Sequence, residues 1–274
     1  MIEARYLTVD SCLSYVELAG SGPPVLLVHT AGQSGVQWRH TTGALAERGY
    51  RVIAPDLPGH GRSEPAPGGA VDDLGVYARW LRNLLDALEV HDPWIVGCSI
   101  GGKIALDLAA RMADEARGVV AMAAEPMPGE ISAAGLRREL EDVAAASRTD
   151  RTYLGTLAVV GRDVDPARAE LIARMHRRED PEVSTSDLLG WAAHDLTDTL
   201  SSITCPARLV IGEDDLWVNS ERARRAAEHL PDARCTVLPG IGHYPMEEIV
   251  DFPTVLDGWL GELAPTTSRS EVHA

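Results

Sequence analysis

Gly97-Cys98-Ser99-Ile100-Gly101-Gly102 fits the pattern G-x-S-x-G, and its flanks decide how the whole chain is read. Trp94-Ile95-Val96 precedes it as an apolar strand, and residues 100–112 follow it as a helix. A serine at such a strand-to-helix turn is held in a strained backbone conformation, and small residues two positions to either side let the chain turn without clashing. Gly97 and Gly101 meet that requirement, while Gly102 lets the helix approach its neighbours. The competing reading is a glycine-rich turn with an ordinary N-cap serine. What separates the two is whether a base and an acid occur in the right places elsewhere.

Outward from this turn the chain alternates strand and helix. Val25-Leu26-Leu27-Val28 is a continuous apolar run of the kind a strand buried on both faces shows. A helix over 37–48 then leads to a strand at 51–54, a helix over 74–88 to the strand at 94–96, and the helix over 100–112 to a strand at 118–123. Leu74, Tyr77, Leu81, Leu84, Leu85 and Leu88 fall on one helix face. Two β-rich runs at 5–9 and 13–18 form an antiparallel lead-in. This rhythm predicts an α/β class protein, with a mostly parallel sheet carrying helices on both faces.

The rhythm stops over 125–203, where helix signals appear without a convincing strand. Leu136, Leu140 and Val143 repeat at helical spacing, Asp165-Pro166 supplies an N-cap with proline at the first helical position, and Ser184-Thr185-Ser186-Asp187 has capping-box spacing. Strand and helix alternate again at 207–211, 220–230, 234–238 and 248–263. The expected organisation is a core of 1–124 and 204–263, an all-helical insertion at 125–203 and a flexible tail at 264–274.

A serine hydroxyl is a poor nucleophile until a base takes its proton, and the base needs a carboxylate to orient it. His243, in Gly242-His243-Tyr244-Pro245, follows the last strand, and of the nine histidines it alone has the right place in the topology. Gly212-Glu213-Asp214-Asp215 follows the strand at 207–211, at the carboxyl end of the sheet where open α/β folds build their sites. The chain order is then Ser99, acid, His243.

With Leu27-Val28-His29, Asp56-Leu57-Pro58-Gly59-His60-Gly61-Arg62-Ser63 and Gly240-Ile241-Gly242-His243 added, residues 9–263 resemble the α/β-hydrolase superfamily. The resemblance implies an α/β-hydrolase fold with a helical cap at 125–203. It also implies a triad of Ser99, Asp215 and His243, since the family's G-x-x-D ending selects Asp215 over Asp214. Backbone N–H groups of Ala31 and Ile100 would form the oxyanion hole. The Asp56 to Ser63 turn is read as structural, and His60 is not a ligand. Two departures stand out. Many members carry His-Gly after the third strand, but this chain reads His29-Thr30-Ala31-Gly32-Gln33; the lost glycine makes Thr30 and Gln33 candidate pocket residues, and the loop is similar to that of enol-lactonases. Some lactone-cleaving members take their acid from the strand before the cap, where Glu125 stands; Asp215 is preferred. Trp191 either lines the pocket or packs, and Cys98 is read as a buried packing residue.

The expected function is that of a serine hydrolase cleaving a carboxylic ester or lactone through an acyl-enzyme, with no metal or organic cofactor. A carbon–carbon bond hydrolase with the same triad is the alternative, although such enzymes commonly have a longer glycine-rich loop. A non-hydrolytic receptor or lyase on the same fold is a third reading. Ser99 argues against epoxide hydrolases and haloalkane dehalogenases, which place aspartate at that turn. Composition agrees with a small-molecule enzyme. The 274 residues are 45% hydrophobic and 24% charged, as globular chains are, and a net charge of −16 disfavours nucleic-acid and anionic-membrane partners. Cys12, Cys98, Cys205 and Cys235 form no C-x-x-C pair, so neither a disulfide framework nor a zinc site is expected. Residues 1–5 contain no apolar targeting segment, and the reading is a soluble cytoplasmic protein.

Overall fold

The continuous apolar runs form the centre of an eight-stranded sheet because both of their faces are covered. In the computed structural model, which describes residues 1–142, 144 and 147–264, the strands are β1 (Ile2–Val9), β2 (Cys12–Ala19), β3 (Pro24–Val28), β4 (Arg51–Pro55), β5 (Trp94–Cys98), β6 (Gly118–Met122), β7 (Ala207–Gly212) and β8 (Ala233–Leu238). The helices are α1 (Thr42–Glu47), α2 (Leu74–Ala87), α3 (Ile100–Met112), α4 (Ala133–Leu140), α5 (Arg148–Val159), α6 (Pro166–His176), α7 (Pro181–Ala193), α8 (Ser220–Glu228), α9 (Pro245–Glu248) and α10 (Phe252–Leu263). Val143 and the tail from 265 onward lie outside the described residues.

Strand order is β1-β2-β4-β3-β5-β6-β7-β8. β2 pairs antiparallel with β1 and β4, and the remaining pairs are parallel. The winding reverses beside β3, which puts a crevice at the carboxyl ends of β3 and β5. Alternate side chains of β3 serve different layers, as the two-residue strand period requires. Leu26 and Val28 meet the side carrying α2, α3 and α8, whereas Val25 and Leu27 meet the side carrying Trp38, α1 and α10. In α2, Leu74, Tyr77, Leu81, Leu84 and Leu85 are fully buried, each leucine contributing about 1.5–3 kcal/mol of transfer free energy. Asp73 caps that helix by accepting from the Gly75 N–H at 2.8 Å.

Three expected elements differ. The helix expected over 37–48 is a 3-10 turn at Gly35–Trp38 followed by α1, because Gln37 and Gly35 are tied sideways to Thr30 and Asp56. The helix expected over 248–263 is split into α9 and α10, the Glu248 carboxylate being drawn back to backbone N–H groups. Helix α7 begins before the expected capping box: Asp180 caps it, accepting from Glu182 and Val183, with Pro181 in the first turn. Asp187 therefore lies inside the helix, not in its first turn.

Between β6 and β7 the described residues hold α4 to α7 and a 3-10 turn at Thr197–Ser202, with no strand. Asp165 caps α6, with Pro166 opening the helix. Lys103, on α3 and fully buried, clamps both crossings to this layer: its Nζ donates to the carbonyl oxygens of Met127 and His194. Burial lowers its pKa to about 8 against the attraction of Glu125. No described helix is long and apolar enough to cross a membrane. Lys103→Met should leave the partly buried Met127 and His194 carbonyls without this donor and destabilise the fold by about 1–3 kcal/mol, read as a fall in Tm of a few degrees. An unchanged melting curve would show that the clamp contributes nothing.

Candidate active site

Ser99 joins β5 to α3 with φ 57° and ψ −121°, a region that side chains rarely adopt. The turn is so tight that a Cβ on Gly97 would lie 2.0 Å from the Gly101 carbonyl oxygen, and one on Gly102 would lie 2.5 Å from the Ala124 Cβ. Glycine at these positions is a steric requirement of the turn. Ser99 caps no helix N–H with its side chain, so its hydroxyl is not spent on holding α3.

His243 sits on the loop after β8. Its Nδ1 lies 3.0 and 2.9 Å from the two carboxylate oxygens of Asp215, whose side chain is fully buried. Asp215 is itself fixed: its Oδ1 accepts from the Trp217 and Val218 N–H groups at 2.8 and 3.2 Å. The histidine loop is gripped by Glu248, which accepts from the N–H groups of Gly242, Tyr244 and Gly161 at 2.6, 2.8 and 3.0 Å. Burial raises the Glu248 pKa, and these backbone donors only partly offset it. Cys98 is buried and donates its thiol to the His243 carbonyl at 3.3 Å.

Ser99 and His243 open onto one cavity of about 190 Å³, and Thr30, Ala31, Gln33 and Trp191 line it as well. Trp191 both lines and packs, edge-on to Trp217 with ring centroids 5.7 Å apart. Ala31 and Ile100 flank the serine turn; among the described residues neither N–H donates to a protein acceptor, although those of Thr30, Gly32 and Gly102 do. Asp214 faces the other way, accepting from the Arg162 N–H at 2.7 Å. Glu125 is not brought to His243. It pairs with Arg222 at 3.1 Å, and its other oxygen is buried without a partner.

Sequence reading missed Trp217, Tyr244 and the polar side of the cavity, which includes Arg148, Arg151 and His176. Trp217 stands two residues after Asp215 and Tyr244 directly after His243, and that proximity is the sequence signal for them; the others come from helices whose placement no local pattern reveals. Among the described residues no three histidine, cysteine, aspartate or glutamate side chains cluster so as to hold a metal ion.

A family model described as alpha/beta hydrolase fold matches residues 23–248. The chain belongs to the α/β-hydrolase family. It is 27% identical to a pimeloyl-[acyl-carrier protein] methyl ester esterase of Nitrosospira multiformis, covering 84% of this chain and 91% of that protein. It is 25% identical to a 2-hydroxy-6-oxo-6-phenylhexa-2,4-dienoate hydrolase of Burkholderia cepacia, covering 85% of each. A thermophilic esterase from Thermogutta terrifontis superposes with a TM-score of 0.79 at 25% identity, over 96% of this chain and all of that one.

Burial pushes the Glu125 pKa up to about 7 despite the attraction of Arg222 and Lys103. The folded protein then holds a proton that the unfolded chain releases near 4.5, so this group stabilises the fold at low pH and that contribution is lost as pH rises from about 4.5 to 7. Glu125→Gln should gain stability relative to the parent between pH 5 and pH 8, measured as urea midpoints at the two values. A constant difference across that window would contradict the assignment.

Proposed function

We propose that the chain is a serine hydrolase cleaving a carboxylic ester or lactone through an acyl-enzyme, with Ser99, His243 and Asp215 as its triad. The observation that carries this is the strained Ser99 sharing a cavity with a histidine whose far nitrogen is bonded to a buried, doubly anchored carboxylate. The Ser99 Oγ attacks the carbonyl carbon while His243 Nε2 takes the hydroxyl proton. Negative charge then builds on the carbonyl oxygen, where the N–H groups of Ala31 and Ile100 receive it. Collapse breaks the bond to the leaving oxygen, which takes the proton from His243. Water, deprotonated by His243, attacks the acyl-enzyme, and the acid leaves as Ser99 recovers its proton. Asp215 keeps the Nδ1 proton in place and balances the transient imidazolium.

The esterase names of two similar proteins support this chemistry. The Burkholderia cepacia relative favours carbon–carbon bond hydrolysis as the second reading. We place the protein in the cytoplasm, acting on small molecules; four free cysteines suit a reducing compartment.

The test is turnover of p-nitrophenyl butyrate beside a 2-hydroxy-6-oxo-dienoate. Ser99→Ala should lose roughly a thousandfold or more in kcat with its fold intact, and Asp215→Asn should lose orders of magnitude because the amide favours the wrong imidazole tautomer. Glu125→Gln should stay within a few-fold, and a chelator should leave the rate unchanged. Equal rates for Ser99→Ala and the parent would sink the mechanism; a large loss from Glu125→Gln beside a small one from Asp215→Asn would move the acid. Preferential turnover of the dienoate would favour the second reading.

A further inference from the structure

Asp187 belongs to α7, yet its carboxylate is fully buried against the loops of the core. Its Oδ2 accepts from the Gly32 N–H and from His60 Nε2, both at 2.8 Å, and its Oδ1 accepts from the Tyr77 hydroxyl at 3.1 Å. Gly32 lies in the 29–33 loop, one residue beyond Ala31. It has φ +64°, and a Cβ there would lie 2.7 Å from the Ser184 Cβ, so α7 rests directly on the loop backbone.

His60 completes this cluster. Its Nδ1 faces the Pro58 carbonyl at 3.1 Å, and a carbonyl offers only lone pairs, so Nδ1 donates. Its Nε2 faces a carboxylate and donates as well. Burial works against a charged ring, but the charge and hydrogen bond of Asp187 outweigh it and raise the His60 pKa. His60 and the Asp187 carboxylate thus form a buried, hydrogen-bonded pair, and the carboxylate reaches one loop N–H. His29, tilted against His60 with centroids 4.8 Å apart, is neutral: burial and then the repulsion of His60 push its pKa down to about 4. Its Nδ1 donates to the Thr30 carbonyl at 2.9 Å, and its Nε2 accepts from the Leu57 N–H at 3.1 Å.

The loop is therefore pinned on both sides of Ala31. Gln37 Oε1 takes the Thr30 N–H at 2.9 Å and Asp187 takes the Gly32 N–H, while the N–H between them has no protein acceptor among the described residues. We propose that Asp187 is a positioning residue for the oxyanion hole: by holding Gly32 it fixes the direction of the Ala31 N–H, so the hole is complete only while α7 is docked on the loop. The inference rests on the hydrolase reading above. It also gives the glycine missing from position 30 a substitute, since the turn geometry is supplied by Gly32 and an acceptor from the inserted layer.

The experiment compares Asp187→Ala and Asp187→Asn with Leu189→Ala, which removes core packing on the same helix at a buried leucine that does not line the cavity and leaves the Asp187–Gly32 bond in place. For p-nitrophenyl butyrate, kcat and KM are measured below every Tm, together with the Ki of n-butylboronic acid, whose tetrahedral serine adduct occupies the oxyanion hole. Deleting an oxyanion donor costs about 10²–10³ in kcat; a misaimed donor keeps part of its effect, so Asp187→Ala should lose about ten- to a hundredfold in kcat with KM nearly unchanged. The boronate Ki should weaken in parallel. Asp187→Asn retains an acceptor for Gly32 and should recover part of the loss; if the alanine variant does not fold, a several-fold fall in kcat with matching Ki in Asp187→Asn carries the test. Leu189→Ala should lose Tm while keeping kcat and Ki within about twofold. Folded Asp187 variants that match Leu189→Ala in kcat and Ki would overturn the inference, leaving Asp187 a stabilising residue only. Equal turnover by the parent and Ser99→Ala would instead bring down the hydrolase reading, and this inference with it.

Discussion

The structure depends on a steric constraint at residue 99. The sheet delivers β5 and removes α3 within one residue, at a separation where a single Cβ at 97 would collide with the next turn's carbonyl. The left-handed backbone at Ser99 is tolerable because both neighbouring elements are immobilised: all five residues of β5 are buried between β3 and β6, and eleven of the thirteen in α3 are buried. Strain of about 1–3 kcal/mol persists only where the surroundings over-determine it. Everything else at the carboxyl end of the sheet is arranged around that fixed point.

What arranges it is a set of buried carboxylates that accept from backbone N–H groups. Asp56 holds Gly35 and Arg62 at 2.8 Å each, Glu248 holds the loop around Gly242 and Tyr244, Asp215 holds the turn at Trp217, and Asp187 holds Gly32. An ionised carboxylate suits this work, because it accepts several bonds and each is charge-assisted. Part of the acidic excess is thus interior framework. The remainder forms the solvated coat that the net charge of −16 implies.

This explains what the sequence made legible. Ser99, Asp215 and His243 each sit beside a strand end with glycine nearby, so local pattern and chain order bring them forward as candidates. The parallel sheet followed from apolar runs bounded by turn signals. Asp187 was invisible for a physical reason: its partner Gly32 is 155 residues away, and in the sequence it looks like the last member of a capping box. The true helix start, Asp180-Pro181, lies only four residues before Ser184 and is equally ordinary. Gln37 likewise carries a helical pattern in the sequence, since its bond to Thr30 exists only once the turn at Gly35–Trp38 has formed. Long-range polar pairing leaves no periodicity to read.

The inserted helices also have an attachment besides their two chain crossings and the Asp187–Gly32 bond. At the end of α5, the Val159 carbonyl accepts from the His243 N–H at 2.8 Å, Gly161 donates to Glu248, and Asp163 donates to the Gly240 carbonyl at 3.1 Å. A door hung on two hinges swings; one fastened along a third edge does not. Tilting the whole layer away from the sheet would pull on the backbone of His243 itself. For anyone exchanging this layer between related hydrolases, the segment from Val159 to Asp163 travels with the histidine loop.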